Sequence, residues 1–160
     1  MIDTDLEVLA YEPSPIGMIC LRRRTLAGDP ASVVTEITVD HEFLMSSHCT
    51  ESERALARRA LELHEGTQLD VLVGGLGLGY TAREALVSNR VARVEVLELL
   101  PQVIDWMRQG LVPLSRELST DARLELVEAD VYDRLFHAPR SPRRHDLILI
   151  DVDHSPDEPL

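Results

Sequence analysis

Gly75, Gly77 and Gly79 stand in the stretch LDVLVGGLGLGYTARE, residues 69–84, between an apolar run and the start of a helical pattern. Strand, glycine-rich turn and helix make a unit in which bare backbone can approach a ligand. The helix start then aims free N–H groups and a positive dipole end at an anionic or polar group. Glu98 closes a second apolar run nineteen residues after Gly79. An acid at about that distance, roughly 20 residues on, can accept hydrogen bonds from both hydroxyls of a ribose. Asp130 and Asp151 end a third and a fourth run in the same way. A glycine turn followed by acids at successive strand ends points to a nucleoside-type ligand. The blander reading of each acid is a helix cap, and it is strongest for Asp130, which directly precedes the helical pattern from Val131.

The elements that must position these residues follow from the hydrophobic pattern. Strands are expected over Leu69 to Val73, Arg93 to Leu99, Arg123 to Val127 and Asp146 to Ile150. Helices are expected from about Thr81 to Ser88, from Pro101 to Gly110 and from Val131 to Phe136, with Leu111 to Thr120 as a connector. Alternation of this kind implies right-handed crossovers and a mostly parallel sheet with its ligand at the carboxyl ends of the strands. Ahead of it, residues 1–15 read as a loosely held arm. Ile16 to Leu26 and Val33 to Val39 read as strands joined by the turn residues Ala27-Gly28-Asp29-Pro30, and Phe43-Leu44-Met45 as a third strand. Thr50 and Glu53 have capping-box spacing and open a helix from Ser52 to Glu65. Leu56, Ala60, Leu61 and Leu63 supply its apolar side, and Gly66 stands where a C-terminal cap would. The fold class is therefore α/β: a Rossmann-like sheet with helices on both faces, preceded by a small antiparallel β module. The division expected is 1–49 for the arm and module and 50–160 for the nucleoside-binding part.

Composition narrows the function. A chain of 160 residues supports one core, and no apolar stretch is long enough to span a membrane. The start of the chain is acidic and lacks the order of a signal peptide, which leaves a cytoplasmic location by default. A net charge of −12 disfavours nucleic acid as a partner, since that binding depends on neutralising phosphates. The chain has no lysine, which excludes a lysine nucleophile or Schiff base. Cys20 and Cys49 give no disulfide framework and read as small, mostly buried thiols. Arg22-Arg23-Arg24 reads as a solvated strand edge; the spacing of Trp106 fits either the core or a wall of the ligand cleft, and core is preferred. Asp151, Asp153 and His154 could ligate a divalent ion, but three close ligands without a distant fourth are a weak set, and no metal is expected.

Four stretches, VLVGGLGLGYTARE, VEVLELLPQVIDWMR, DARLELVEADVYDRL and HDLILIDVDHSP, resemble the successive motifs of the spermidine synthases. These polyamine aminopropyltransferases share the class I S-adenosylmethionine-dependent methyltransferase fold. The resemblance runs from about Leu69 to Pro156. It implies that Gly75, Gly77 and Gly79 form the donor-binding loop, that Glu98 holds the ribose and that Asp130 reads the adenine amino group. It further implies that Asp151 helps to deprotonate and orient the attacking amine, with Asp153 as a second carboxylate nearby. It also implies a homodimer and a small-molecule acceptor, which could be a polyamine. The chain departs from the pattern at Leu78, where the family has an Asp that binds the donor's primary amine. It departs again at Tyr80, where the family has a glycine, and at His154, where the family has an acid that helps to bind the polyamine. An acceptor-contacting tyrosine has no clear match around Met45-Ser46-Ser47-His48. Because members of the family continue with further strands, the chain reads as truncated at its C-terminus.

The expected activity is thus spermidine synthase-like: transfer of an aminopropyl or methyl group from decarboxylated or intact S-adenosylmethionine to a small amine. A carboxyl-bearing donor would need N–H groups of the loop, whereas a decarboxylated one would need an acid, and leucine at position 78 leans toward the former. A methyltransferase with a non-polyamine acceptor and a non-catalytic nucleoside-binding protein are the alternatives.

Overall fold

The structure, a computed structural model, describes residues 6–28, 30–137 and 144–152. Four antiparallel strands come first: β1 (Leu6–Ser14), β2 (Gly17–Leu26), β3 (Ser32–Val39) and β4 (Glu42–Ser46), adjacent in that order. The β3–β4 turn carries Asp40 and His41, both at positive φ, the conformation a two-residue hairpin of this twist requires. Asp40 Oδ1 also accepts the Met18 N–H at 2.7 Å, which ties this turn to the start of β2.

Two expectations for this part are corrected. Most of the acidic arm is a strand: β1 pairs with β2 along its length, with one irregularity between Val8 and Ala10. Its charged residues hid it, because only part of one face is covered. The arginine run is consequently not on an edge, since β2 lies between β1 and β3. Alternation sends Arg22 and Arg24 to one face, where both hold Glu36 of β3, at 3.0 and 2.7 Å, and Glu36 is almost completely buried. Arg23 points the other way and donates to the Leu111 carbonyl.

The helix α1 (Glu51–Leu63) follows, and then four parallel strands: β5 (Leu69–Gly74), β6 (Val91–Glu98), β7 (Leu124–Glu128) and β8 (Leu147–Ile150). Their spatial order is β7-β6-β5-β8, all parallel. The helices α2 (Tyr80–Val87), α3 (Pro101–Arg108), α4 (Ser115–Ser119) and α5 (Val131–Phe136) make the connections. The stretch read as a connector thus contains the short α4, and Leu118 on it is buried. In α1 the capping box does not form: Thr50 makes no side-chain cap, and its hydroxyl accepts from Arg54 Nε instead. Leu63 is 87% exposed, so the apolar side rests on Leu56, Ala57, Ala60 and Leu61. Gly66 is not in a left-handed cap, and its N–H donates to His64 Nδ1.

One apolar cluster joins the two sheets. Ile19, Leu21 and Ile37 of the module meet Leu76, Leu78 and Trp106 of the second unit, all buried. Trp106 is core, as expected, and its indole N–H donates to Glu12 of β1 at 3.0 Å. Cys20 is buried, as expected, whereas Cys49 is exposed, which corrects the expectation for that thiol. Among the described residues no helix is long and apolar enough to cross a membrane.

Candidate active site

The order β7-β6-β5-β8 places the first and fourth parallel strands side by side: the chain steps from β5 through β6 to β7 and then returns to place β8 on the other side of β5. That is a topological switch point, and ligands in open α/β sheets bind in the crevice beyond the carboxyl ends of the strands there. A cleft of about 550 Å³ lies at this place. Its floor is the turn after β5 and the ends of β6, β7 and β8. Its opposite wall comes from β4 and the start of α1, including Met45, Cys49 and Glu53.

Each expected site residue can now be located. Gly75 and Gly77 line the cleft. Gly75 has φ +96°, and a Cβ there would lie 2.1 Å from the Asp151 carbonyl oxygen, so the close passage of β5 and β8 requires glycine. A Cβ on Gly77 would lie 2.3 Å from the Met45 methyl group. Met45 of β4 thus rests on the bare backbone of the glycine loop. Gly79 does not line the cleft. A Cβ there would meet Leu118 at 2.5 Å, so this glycine serves the packing of the α2 start against α4.

Glu98 ends β6, is 8% exposed, and borders the cleft. Its Oε2 accepts the Leu76 N–H at 2.8 Å, and its Oε1 accepts the Leu100 N–H at 2.9 Å. The carboxylate therefore clamps the glycine loop to the β6–α3 turn. An ionised carboxylate has about four acceptor sites, so two remain for ligand hydroxyls. Asp130 also borders the cleft, and its Oδ1 caps α5 by accepting from Tyr132 N at 2.7 Å and Asp133 N at 3.3 Å. The cap reading is thus realised, and Oδ2 accepts no bond among the described residues. Asp151 follows β8, its N–H bonded to the Gly74 carbonyl at 2.7 Å. Its Oδ2 accepts from the Thr81 hydroxyl of α2 at 2.5 Å. Asp153, the second carboxylate expected, lies outside the described residues, as does His154.

Leu78 faces away from this chemistry. It is fully buried in the apolar cluster and does not line the cleft. Glu53 is the residue that sequence reasoning missed. Its spacing from Thr50 fits a capping box, but its carboxylate accepts from the Ser52 hydroxyl at 2.6 Å and borders the cleft. The signal available was only that an acid sits in the first turn of the helix, three residues past Thr50. Beside it, Arg54 lies over the Tyr80 ring at 5.2 Å. Burial pushes the Tyr80 hydroxyl above its ordinary pKa; Arg54 opposes this and Glu53 adds to it. The cleft is thus bordered by four carboxylates, those of Glu53, Glu98, Asp130 and Asp151, and among the described residues by no arginine or histidine.

A parallel sheet in this order, with a glycine turn after its first strand and acids after the others, defines a Rossmann-like fold of the class I methyltransferase type. In sequence and in fold this chain is spermidine synthase-like. It is 26% identical over 113 residues to a polyamine aminopropyltransferase of Pyrobaculum calidifontis, covering 69% of this chain and 39% of that protein. It superposes on the spermidine synthase of Thermotoga maritima with a TM-score of 0.71 and 26% identity, covering 93% of this chain and 48% of the other. A spermidine synthase solved with the transition-state analogue AdoDATO gives the same TM-score and identity, covering 92% of this chain and 47% of that one. No family model matches the chain. The chain spans about half the length of these solved relatives and 39% of the Pyrobaculum protein.

Proposed function

We propose that this protein transfers an aminopropyl group from decarboxylated S-adenosylmethionine to a small amine. The observation that carries the reading is the cleft itself: a glycine turn, Glu98 and Asp130 on one side, Asp151 on the other, and no cationic side chain among the described residues that border it. A sulfonium donor that ends in an ammonium group, and an acceptor that arrives as an ammonium, are both cations. An acid-lined crevice with low-dielectric walls concentrates such ligands. Similarity to a polyamine aminopropyltransferase and to a spermidine synthase that binds AdoDATO supports the same chemistry.

In this reading Gly75 and Gly77 let the donor approach the backbone, Glu98 accepts from its ribose, and the free oxygen of Asp130 accepts from the adenine amino group. The acceptor nitrogen, once deprotonated, attacks the carbon next to sulfur. A C–N bond forms as the C–S bond breaks, and the electron pair leaves on sulfur to give neutral methylthioadenosine. The proton lost by the amine goes to Asp151 or through it to solvent. The donor carries its own activation, so the residues contribute mainly by alignment. Methyl transfer from intact S-adenosylmethionine is the second reading. What favours it is that the donor's carboxylate can be held by loop N–H groups without any basic side chain. Leu78 does not decide between them, because its side chain belongs to the core.

The test is calorimetric titration with S-adenosylmethionine, its decarboxylated form and methylthioadenosine, followed by mass spectrometry of an amine incubated with each donor. Tighter binding of the decarboxylated donor, with a product heavier by one aminopropyl group, is expected. Preference for the intact donor with a methylated product would replace this reading by the second. Binding of none would remove both.

A further inference from the structure

We infer that Glu53 is a specificity-determining residue that receives an ammonium group of the acceptor, at the corner of the cleft shared with Asp151. The inference rests on the reading of the cleft as an amine-transfer site and deepens it. Four carboxylates border the cleft, and three of them are engaged in holding the fold together. Glu98 uses both oxygens on backbone N–H groups, Asp130 caps α5, and Asp151 is held by Thr81. Glu53 holds nothing of the kind. Among the described residues its carboxylate has one hydrogen-bond donor, the hydroxyl of its neighbour Ser52, and it forms no ion pair.

The adjacent cation does not neutralise it. Arg54 directs its Nε to Thr50 Oγ1 and lies over the Tyr80 ring, and it does not border the cleft. Thr81 fixes the corner from the other side. Its hydroxyl lies 3.2 Å from the Glu53 carbonyl and 2.5 Å from Asp151 Oδ2, so α1, α2 and the end of β8 meet at one side chain. A hydroxyl has one hydrogen, so Thr81 can satisfy only one of these acceptors at a time. The Glu53 carboxylate keeps acceptor capacity beyond the single Ser52 hydroxyl. An ammonium group brings three donors and a positive charge, and both suit that carboxylate. The Glu53 charge adds to that of Asp151 in favouring an ammonium over a neutral alcohol.

The experiment uses the protein saturated with methylthioadenosine and titrated with butane-1,4-diamine, compared with Glu53→Gln, Glu53→Asp and Ser52→Ala. Glu53→Gln should weaken diamine binding at least tenfold and leave methylthioadenosine affinity within twofold. Glu53→Asp should recover part of the loss, and Ser52→Ala, which removes only the neighbouring donor, should not weaken the diamine. In turnover the Gln variant should raise the amine KM with little change in kcat. Unchanged diamine affinity in Glu53→Gln, or no diamine binding by the wild type while methylthioadenosine binds, overturns the inference and leaves the nucleoside site standing. Failure of the wild type to bind methylthioadenosine overturns the underlying reading and the inference with it.

Discussion

At the scale of single residues, the glycines and acids divide between those that shape the cleft and those that face a ligand. Gly75 is the clearest of the first kind, because both its φ and its contact with the Asp151 carbonyl exclude a side chain. Gly75→Ala should lower stability by about 2 kcal/mol or more, read from the urea midpoint, since backbone strain of about 1–2 kcal/mol adds to a clash between two backbones. Gly110 is the control: its φ is +81°, but nothing lies within 4 Å of a Cβ there, so Gly110→Ala should show the strain alone, about 1 kcal/mol. Glu98 belongs to both kinds. Glu98→Gln replaces one acceptor oxygen by an NH2 group, which leaves the N–H of Leu76 or Leu100 facing another donor. An unsatisfied buried group costs about 1–3 kcal/mol, so this variant should melt earlier even without ligand, as differential scanning calorimetry would record. Were it to melt with the wild type, the clamp on the glycine loop would have no energetic weight.

The parallel strands were the most legible elements, with bounds within two residues of those found. β5 is buried almost throughout, whereas β7 and β8 are only partly covered and were read from their apolar residues and the acids that close them. β1 was missed because Glu7 and Glu12 interrupt it and one face is open; α4 was missed because five residues are too few to establish a period. The acids at strand ends could be read from spacing, whereas Glu53 could not, since which way a first-turn side chain points depends on how α1 docks. Arg123 shows how the elements are locked. It starts the turn into β7 and donates to the carbonyls of Leu86, Ser88 and Val91, while Asp121 accepts from its guanidinium. This hydrogen bond from Arg123 holds the Asp121 carboxyl below its ordinary pKa. A depressed folded-state pKa means stability that is full above the unfolded value, about 4, and lost as pH falls through the folded value. Asp121→Asn should therefore be less stable than the wild type at pH 7, and the gap should narrow as unfolding is followed below about pH 4. A constant gap would show that the charge on Asp121 is not what fixes Arg123.

At the scale of the molecule, the net charge of −12 and the four carboxylates around the cleft act in the same direction. Charges beyond the contact range reach a ligand only as far as salt permits, about 10 Å at 0.1 M and about 3 Å at 1 M ionic strength. A cationic donor should consequently lose affinity as salt rises, whereas methylthioadenosine, which shares the nucleoside and lacks the charge, should not. Between about 0.05 and 0.5 M sodium chloride the decarboxylated donor should weaken roughly three- to tenfold, with methylthioadenosine changing less than twofold. Intact S-adenosylmethionine should fall between them, because its carboxylate opposes one of its two positive charges. The ranking of the three slopes therefore reads the electrostatic character of the cleft independently of which donor binds most tightly. If all three ligands respond alike, the carboxylates are screened or otherwise balanced within the cleft, and the choice of donor must come from shape and hydrogen bonds at the glycine loop.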